Sequence, residues 1–245
     1  MINPLNLVRA TIGFARVARD PDRLGEVFQF IDNLVMNERF AAPVLQAFSE
    51  TEEGARGLAE RPRTGRIDLD ALSQLPEGTL GHAFAAHMRA LGLDPDALPS
   101  REAKTDMEWI SAHLYETHDI WHVITGFGAD RAGELGLQAF YAAQFPSRIA
   151  VGILTMGFVN TLLLEFDDSD RRMDAIVRGW VMGRRARRII GVDWKALWST
   201  PLDEVRSRYA VDVAAADAEV ASLLRAVPIE SAHELVAREA VAAAA

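Results

Sequence analysis

Two histidines and an aspartate stand close together in the segment His118-Asp119-Ile120-Trp121-His122. Residues four apart lie on one face of an α-helix, so the two imidazoles point in the same direction. This arrangement suits two nitrogen ligands of one divalent metal ion. Asp119, rotated by about 100° on the helix, would either complete the ligand set or orient a ligand through a hydrogen bond. The spacing alone also fits two histidines that only pack or cap.

Glu134 is a second carboxylate that a helix–turn–helix would bring back to the histidine pair. It follows His122 by twelve residues, beyond a turn indicated by Gly126 and Gly128. Two histidines and two carboxylates form a suitable donor set for a divalent metal. Glu134 also starts a stripe at helical spacing, which is either a substrate-facing wall or a half-buried helix face. The other members of this stripe are Gln138, Tyr141 and Phe145.

The remaining candidate polar groups are a basic cluster and four further histidines. Arginines follow Gly183 on a predicted helix, where they would hold a carboxylate, a phosphate or an anionic membrane surface, or would only form a solvated helix end. These arginines are Arg184, Arg185, Arg187 and Arg188. The histidines outside the pair are interpreted as surface or packing residues. They are His82, His87, His113 and His233.

The longest uncharged segment is Ile149–Leu164, which is 16 residues long. A membrane-spanning helix needs about 20 residues, so this segment is expected not to span. It is either a buried core helix or a helix that contacts lipid. In the second case we expect Leu154 and Phe158 to line an apolar groove for a hydrocarbon chain.

Helical patterns recur along the chain and strand patterns are scarce, so the predicted fold is all-α, with the metal site between two helices. We predict helices over 80–91 with Thr79 as N-cap and Gly92 as the end, and over 131–145 with Asp130 as N-cap. A single long helix capped by Ser100 is predicted over 101–125, and a further helix over 170–190. One stripe of the long helix carries Met107, Ile110, Leu114, Trp121 and Ile124.

Composition limits the function classes. The chain has 245 residues with a formal net charge of −9, which argues against a nucleic-acid-binding protein. It contains no cysteine, which excludes a disulfide framework, a thiolate zinc site and an iron–sulfur cluster. We predict one helical domain over residues 1–245, which includes an alanine-rich helical tail over 211–245.

The motif His118-Asp119-x-x-His122, eleven further residues and then Glu134 resembles the signature of the coenzyme Q biosynthesis protein four family, a ubiquinone-biosynthesis family. The resemblance covers a core of about residues 66–209 and is less clear over 1–60. Where the family often carries an Arg-Tyr-Arg stretch, this chain has His113-Leu114-Tyr115. Other similar segments are Leu75–Gly81, Gly133-Glu134-Leu135, Gln144, Gly179-Trp180, Asp193-Trp194, and Pro201-Leu202 with Arg206.

The resemblance implies a helical protein with a divalent metal, usually taken as zinc, on His118, Asp119, His122 and Glu134. A redox metal stays open, because zinc has no redox chemistry. The implied reaction is oxidative decarboxylation of a polyprenylated hydroxybenzoate-type ring. In it, Asp119 or Glu134 would move protons at the ring carbon. The substrate would contact Gln138, Tyr141, Phe145, Leu154, Phe158, Arg184, Arg185 and Arg188.

Two other functions remain open at this point. One is a lipid-binding scaffold that organises other quinone-biosynthesis proteins, and the other is a His-Asp metal phosphohydrolase. The resemblance further implies peripheral contact with the inner face of the cytoplasmic membrane in a bacterium. In a eukaryote, it implies contact with the matrix side of the mitochondrial inner membrane. A homodimer is a further expectation.

Overall fold

The computed structural model describes residues 38–95 and 102–226. This part of the chain forms eleven α-helices and no strand, apart from an isolated bridge between Thr79 and Pro201, which confirms the all-α prediction. The helices are α1 (Glu38–Ser49), α2 (Glu52–Glu60), α3 (Leu69–Ser73), α4 (Leu80–Leu91), α5 (Asp106–Glu116), α6 (His118–Thr125), α7 (Arg131–Gln144), α8 (Arg148–Leu164), α9 (Ser169–Arg185), α10 (Leu202–Arg208) and α11 (Val213–Ala226). Two 3₁₀ turns span Phe166–Asp168 and Trp194–Leu197.

The helix ends around the motif lie close to where the sequence predicts them. Thr79 caps α4 by accepting a hydrogen bond from the backbone N–H of His82, and Gly92 ends that helix in the left-handed conformation. Asp130 caps α7 by accepting from the N–H groups of Ala132 and Gly133. Short polar side chains at these positions satisfy donors that a helix leaves unpaired at its start.

The predicted single helix over 101–125 is wrong, because the structure has two helices there. The cap of α5 is Thr105, which forms a capping box with Glu108, whereas Ser100 lies outside the described residues. The backbone of Thr117 leaves the helical conformation, and its side chain donates a hydrogen bond to the carbonyl of His113. The predicted apolar stripe is therefore shared between α5 and α6, and His118 is the first residue of α6.

The predicted helix over 170–190 also ends early, at Arg185. The N–H of Arg187 donates to the carbonyl of Tyr209, and the N–H of Ile189 donates to Oε1 of Gln144. These contacts from distant residues replace helical hydrogen bonds, so Arg187 and Arg188 follow the helix. Of the predicted tail, residues 213–226 are helical, and 227–245 lie outside the described part, as do residues 1–37.

Helix α7 packs most closely against α9, and glycines make this approach possible. A Cβ on Gly179 would lie 1.9 Å from the carbonyl oxygen of Gly136, and one on Gly183 would lie 2.9 Å from that of Phe140. Gln144 adds a hydrogen bond of 3.0 Å from its Nε2 to the carbonyl of Gly183. The core around this pair contains large, fully buried side chains, among them Trp109, Trp121, Trp194, Phe48, Phe84 and Phe140.

Most residues of helix α8 are exposed or half-buried, so the interpretation of Ile149–Leu164 as a buried core helix is wrong. Its buried residues are Ala150, Met156, Asn160 and Thr161. Phe158 is 45% exposed, and Leu162 and Leu163 are 67% and 69% exposed. Among the described residues, none of the helices has the length and apolar composition needed to cross a membrane.

Candidate metal centre

Helices α6 and α7 bring the two histidines and Glu134 together. Gly126 ends α6 in the left-handed conformation, and the chain turns back so that Glu134 lies in the first turn of α7. Nε2 of His122 lies 3.1 Å from Oε1 of Glu134, and Nε2 of His118 lies 3.6 Å from its Oε2. One carboxylate therefore faces both imidazoles.

The spacing of these atoms fits a metal ion. The two Nε2 atoms of His118 and His122 lie 3.3 Å apart. Two ligands about 2.0–2.1 Å from a tetrahedral zinc ion stand roughly 3.3 Å from each other. The donor atoms of His118, Asp119 and His122 all lie within 4.8 Å of one another. Glu134 lies outside this three-residue group and contributes through its contacts with the imidazoles.

The ring of His122 is fixed by its second nitrogen. Its side chain is 1% exposed, and Nδ1 lies 3.1 Å from the backbone carbonyl of Phe127. A carbonyl only accepts, so Nδ1 carries a proton, and Nε2 is the nitrogen that faces Glu134 and is available to a metal ion. A metal ion bound at Nε2 requires the proton on Nδ1, and the carbonyl holds the ring in place.

The electrostatics of the centre favour a negatively charged carboxylate beside the imidazoles. Burial acts to raise the pKa of Glu134, but hydrogen bonds to His118 and His122 outweigh it and lower that pKa well below its ordinary value. Burial acts to lower the pKa of His118, yet the hydrogen bond to Glu134 and the nearby negative charges raise it. A metal cation bound between Glu134 and the two imidazoles would replace a proton that these side chains share in hydrogen bonds.

Two contacts from distant parts of the chain lie at the two ends of α6. Glu116, at the end of α5, accepts hydrogen bonds from the guanidinium of Arg63 and from the hydroxyl and N–H of Thr64. At the other end, the guanidinium of Arg206 donates to the carbonyls of Val123 and Ile124. Arg206 thus satisfies carbonyls at the C-terminus of α6.

The predicted stripe on α7 is divided between the centre and the core. Tyr141 stacks on Trp121, with ring centroids 4.1 Å apart and planes at 7°, and on His118 at 6.1 Å. Its buried hydroxyl has no hydrogen-bond partner among the described residues, and burial raises its pKa. Gln138 is also buried. Phe145 packs in the core against Phe48.

His87 borders the centre, although the sequence suggested only a surface or packing role for it. Its ring stacks on that of His122, with centroids 5.8 Å apart and planes at 21°. Burial and the neighbouring His122 lower its pKa. No local pattern indicates this contact, because His87 is on α4, and only the packing of α4 on α6 brings the two rings together. His113, in contrast, stacks on Trp109 as a packing residue.

The predicted arginine site is not part of the centre. Arg185 pairs with Glu219, Arg188 pairs with Glu50, and Arg184 lies over the ring of Trp180. This end of α9 packs beside Gln144, ten residues and about 15 Å along α7 from Glu134. The arginines therefore lie at the opposite end of α7 from the histidine pair.

An apolar groove runs between α8 and α9, next to the centre on α7. It has a volume of about 190 Å³ and is lined by Leu135, which directly follows Glu134. Phe158 lines the groove, whereas Leu154, which is half-buried on the same helix, is not one of the lining residues. The other lining residues are Thr161, Leu162, Phe166, Ser169, Arg172, Met173 and Ile176.

Comparison with known proteins gives the same family from sequence and from structure. The family model described as coenzyme Q (ubiquinone) biosynthesis protein Coq4 matches residues 33–215. The chain is 30% identical over 222 residues to a mitochondrial ubiquinone biosynthesis protein of Caenorhabditis elegans, covering 83% of this chain and 89% of the relative. A mitochondrial relative from Podospora anserina is 26% identical over 223 residues, covering 86% and 72% of the two chains.

A solved structure has the same fold. It is a crystal structure of a chain described as a candidate ubiquinone biosynthesis protein from Nostoc punctiforme PCC 73102. The two chains superpose with a TM-score of 0.74 at 30% identity, covering 84% of this chain and 99% of the other. The family match includes the whole metal-centre motif, from His118 to Glu134. The chain therefore belongs to the coenzyme Q (ubiquinone) biosynthesis protein Coq4 family, and its role is in ubiquinone biosynthesis.

Proposed function

We propose that the chain is a metal-dependent enzyme that removes the carboxyl group of a polyprenylated hydroxybenzoate-type ring and hydroxylates the same carbon. The observation that supports this most directly is the facing of His118, His122 and Glu134 at 3.1–3.6 Å. Dioxygen would be the oxidant: the aromatic acid, dioxygen and water would give the phenol, carbon dioxide and hydrogen peroxide. Membership of a ubiquinone-biosynthesis family makes a prenylated aromatic acid the natural substrate class.

Different residues of the centre would bind the metal, transfer a proton and contact the aromatic ring. His118, His122, Asp119 and Glu134 would hold a divalent ion, with zinc as the expected metal and a redox metal still open. When bound, such an ion polarises a carboxylate or ring hydroxyl and stabilises negative charge as the carbon–carbon bond breaks. Asp119 would move a proton, and the position of its partly exposed carboxylate near both imidazoles supports this role. Tyr141 would form the aromatic wall against the ring.

The groove between α8 and α9 would take the hydrocarbon tail. Leu135 and Glu134 are neighbours on α7, so one helix borders both the groove and the metal centre. Each CH₂ group buried in such a groove contributes about 0.8 kcal/mol, so the tail can supply much of the affinity. The exposed leucines at the end of α8 would contact the membrane that holds these lipids, as a peripheral protein does.

A lipid-presenting scaffold is the second candidate, and the same groove favours it. A scaffold needs the groove and the exposed apolar surface, and it needs partners from the same pathway. It does not need Glu134 as an acid or base. The predicted phosphohydrolase would need a further upstream histidine and a downstream aspartate in the site, and in the described ranges neither joins the group of His118, Asp119 and His122.

Turnover under air separates the enzyme from the scaffold. Purified chain, loaded in turn with zinc, manganese or iron, is given 4-hydroxy-3-prenylbenzoate, which carries one isoprenoid unit. Mass spectrometry then follows loss of carbon dioxide with gain of one oxygen atom. We expect turnover by the wild type and by a Glu77→Ala control, which removes an exposed carboxylate, and none by Glu134→Ala. No turnover with any metal, together with restored quinone synthesis by Glu134→Ala in deficient cells, would favour the scaffold.

A further inference from the structure

A buried nitrogen atom, Nε2 of His87, lies beside the metal centre and has no hydrogen-bond partner among the described residues. A buried donor or acceptor without a partner destabilises a fold, so such atoms mark places where something else supplies the partner. Helix α4 places the imidazole of His87 against the ring of His122.

His87 is not positioned as another metal ligand. Nε2 of His118 and Nε2 of His122 lie 3.6 Å and 3.1 Å from the carboxylate of Glu134, whereas Nε2 of His87 makes no hydrogen bond to that carboxylate. His87 is also outside the group of donor atoms within 4.8 Å of one another, and its ring lies nearly parallel to that of His122. A phenyl ring would stack on His122 equally well, so stacking does not explain why this position carries an imidazole. The buried Nε2 atom of His87 therefore requires a separate explanation.

The charges around His87 indicate the kind of group that its nitrogen would meet. Asp119 and Glu134 are close enough to act on it electrostatically, as are His118 and His122. All four are the residues assigned to the metal, so His87 borders the space in which a metal-bound head group would lie. An aromatic acid bound there presents carboxylate and hydroxyl oxygens, which accept hydrogen bonds from an imidazole N–H.

We propose that Nε2 of His87 donates a hydrogen bond to an oxygen atom of the aromatic acid held at the metal centre. His87 is then a residue that selects the head group, separate from the four metal-binding residues. This assignment rests on the proposed function. It adds α4 to α6 and α7 as an element that forms the site.

Paired binding measurements test the proposal without turnover. His87→Phe keeps a ring against His122 and removes both nitrogens, whereas His87→Gln keeps an N–H donor. Titration calorimetry measures zinc binding first, and then binding of 4-hydroxy-3-prenylbenzoate to the zinc-loaded protein. We expect His87→Phe to lower the affinity for the aromatic acid by about tenfold or more, because the lost hydrogen bond involves a charged group. Zinc affinity should stay within about threefold, and His87→Gln should bind the acid nearly as the wild type does.

A control and a direct observation accompany these variants. His82→Phe makes the same change on the same helix, at a ring that contacts the carbonyl of Leu75, and should leave acid binding unchanged. In wild-type protein with ¹⁵N-labelled histidine, the Nε2 resonance of His87, assigned by its loss in His87→Gln, should shift when the acid is added. This measurement does not depend on the folding of His87→Phe.

The possible results separate the two proposals. The assignment is overturned if His87→Phe binds the acid as the wild type does, or if the His87 Nε2 resonance does not shift when the acid is added. Either result leaves the proposed function intact. Loss of zinc together with the acid also overturns it, because His87 would then act through the metal. A wild-type chain that binds zinc but not the acid overturns the proposed head-group site, and the role of His87 fails with it.

Discussion

Helix α7 has two very different neighbours on its sides away from α6. On the α9 side, backbone meets backbone, because Gly179 allows the carbonyl of Gly136 to approach and Gln144 bonds to the carbonyl of Gly183. On the α8 side, a flexible side chain makes the contact: the Cβ position of Gly157 lies 2.2 Å from Cδ2 of Leu135. The first contact is closed and rigid, and the second borders an open groove.

This difference suggests how one helix can serve two purposes. A metal centre needs donor atoms held within a few tenths of an ångström, and α9 holds α7 in that way. A groove for a hydrocarbon chain needs side chains that can move aside, and Leu135 with the exposed residues of α8 provides them. The rigid and the adaptable side of α7 would thus suit the fixed head group and the variable tail of the proposed substrate.

The largest expected effect comes from adding one methyl group on each side of α7. Gly179→Ala should reduce the free energy of unfolding by about 4 kcal/mol, because its Cβ meets backbone atoms that cannot move away. Gly157→Ala should cost about 1 kcal/mol or less, since Leu135 can turn into the groove and alanine favours the helix. Urea unfolding measures both variants. Equal losses would contradict the distinction between the two sides.

Metal binding should stabilise the rigid side and leave α8 unchanged. Zinc at a hundredfold excess over its dissociation constant is expected to add about 2.7 kcal/mol to the free energy of unfolding. Hydrogen exchange should slow in α6 and α7. His122→Ala removes a fixed ligand and should abolish stoichiometric zinc and this stabilisation, as metal analysis and melting curves would show. Full zinc occupancy in His122→Ala would disprove the assigned ligand set.

Removal of Arg172 tests how firmly α8 is joined to α9. This buried guanidinium donates to Asp168, Asn160 and Thr161 at 2.8–2.9 Å. Arg172→Met keeps the bulk but leaves these acceptors without that donor, so the free energy of unfolding should fall by about 2 kcal/mol. Arg171→Met, at an exposed neighbour, is the matched control and should cost less than about 1 kcal/mol. Similar losses for both would show that α8 is held by apolar contacts alone.

The smallest effect on stability is expected on the open side. The side chain of Phe158 is 45% exposed, so Phe158→Asp should change the free energy of unfolding by about 1 kcal/mol or less. Its measurable effect should be weaker copurification of prenyl lipids, detected by mass spectrometry. Thr155→Asp adds the same charge at an exposed position of α8 that does not line the groove and should retain the lipid. An unfolded Phe158→Asp protein would contradict the exposed placement of this ring.

The parts of the fold that the sequence predicts are those set by local interactions. The caps at Thr79 and Asp130 and the glycine ends at Gly92 and Gly126 are recognisable because each depends on a few neighbouring residues. The same holds for the histidine pair, whose convergence follows from helical geometry. Glu134 could be placed because one short turn returns the chain to the pair.

The parts that the sequence does not predict depend on distant partners. The break at Thr117 separates two helix-forming segments and coincides with the contacts of Glu116 to Arg63 and Thr64. Arg185 and Arg188 look available until Glu219 and Glu50 are found beside them. The exposure of α8 is equally hidden, because an apolar composition does not say which elements will cover the helix.

The contact between Arg206 and α6 bears on the order of events during synthesis. An isolated helix of eight residues, the length of α6, is only marginally stable in water. The side chain of Arg206, which binds the last carbonyls of α6, lies 82 residues after Ile124. At about 5–20 residues per second, that interval lasts roughly 4–16 s on the ribosome. The histidines thus emerge long before the group that holds the end of their helix. A rigid metal centre is consequently a late product of folding, and a chain truncated before α10 should load metal poorly.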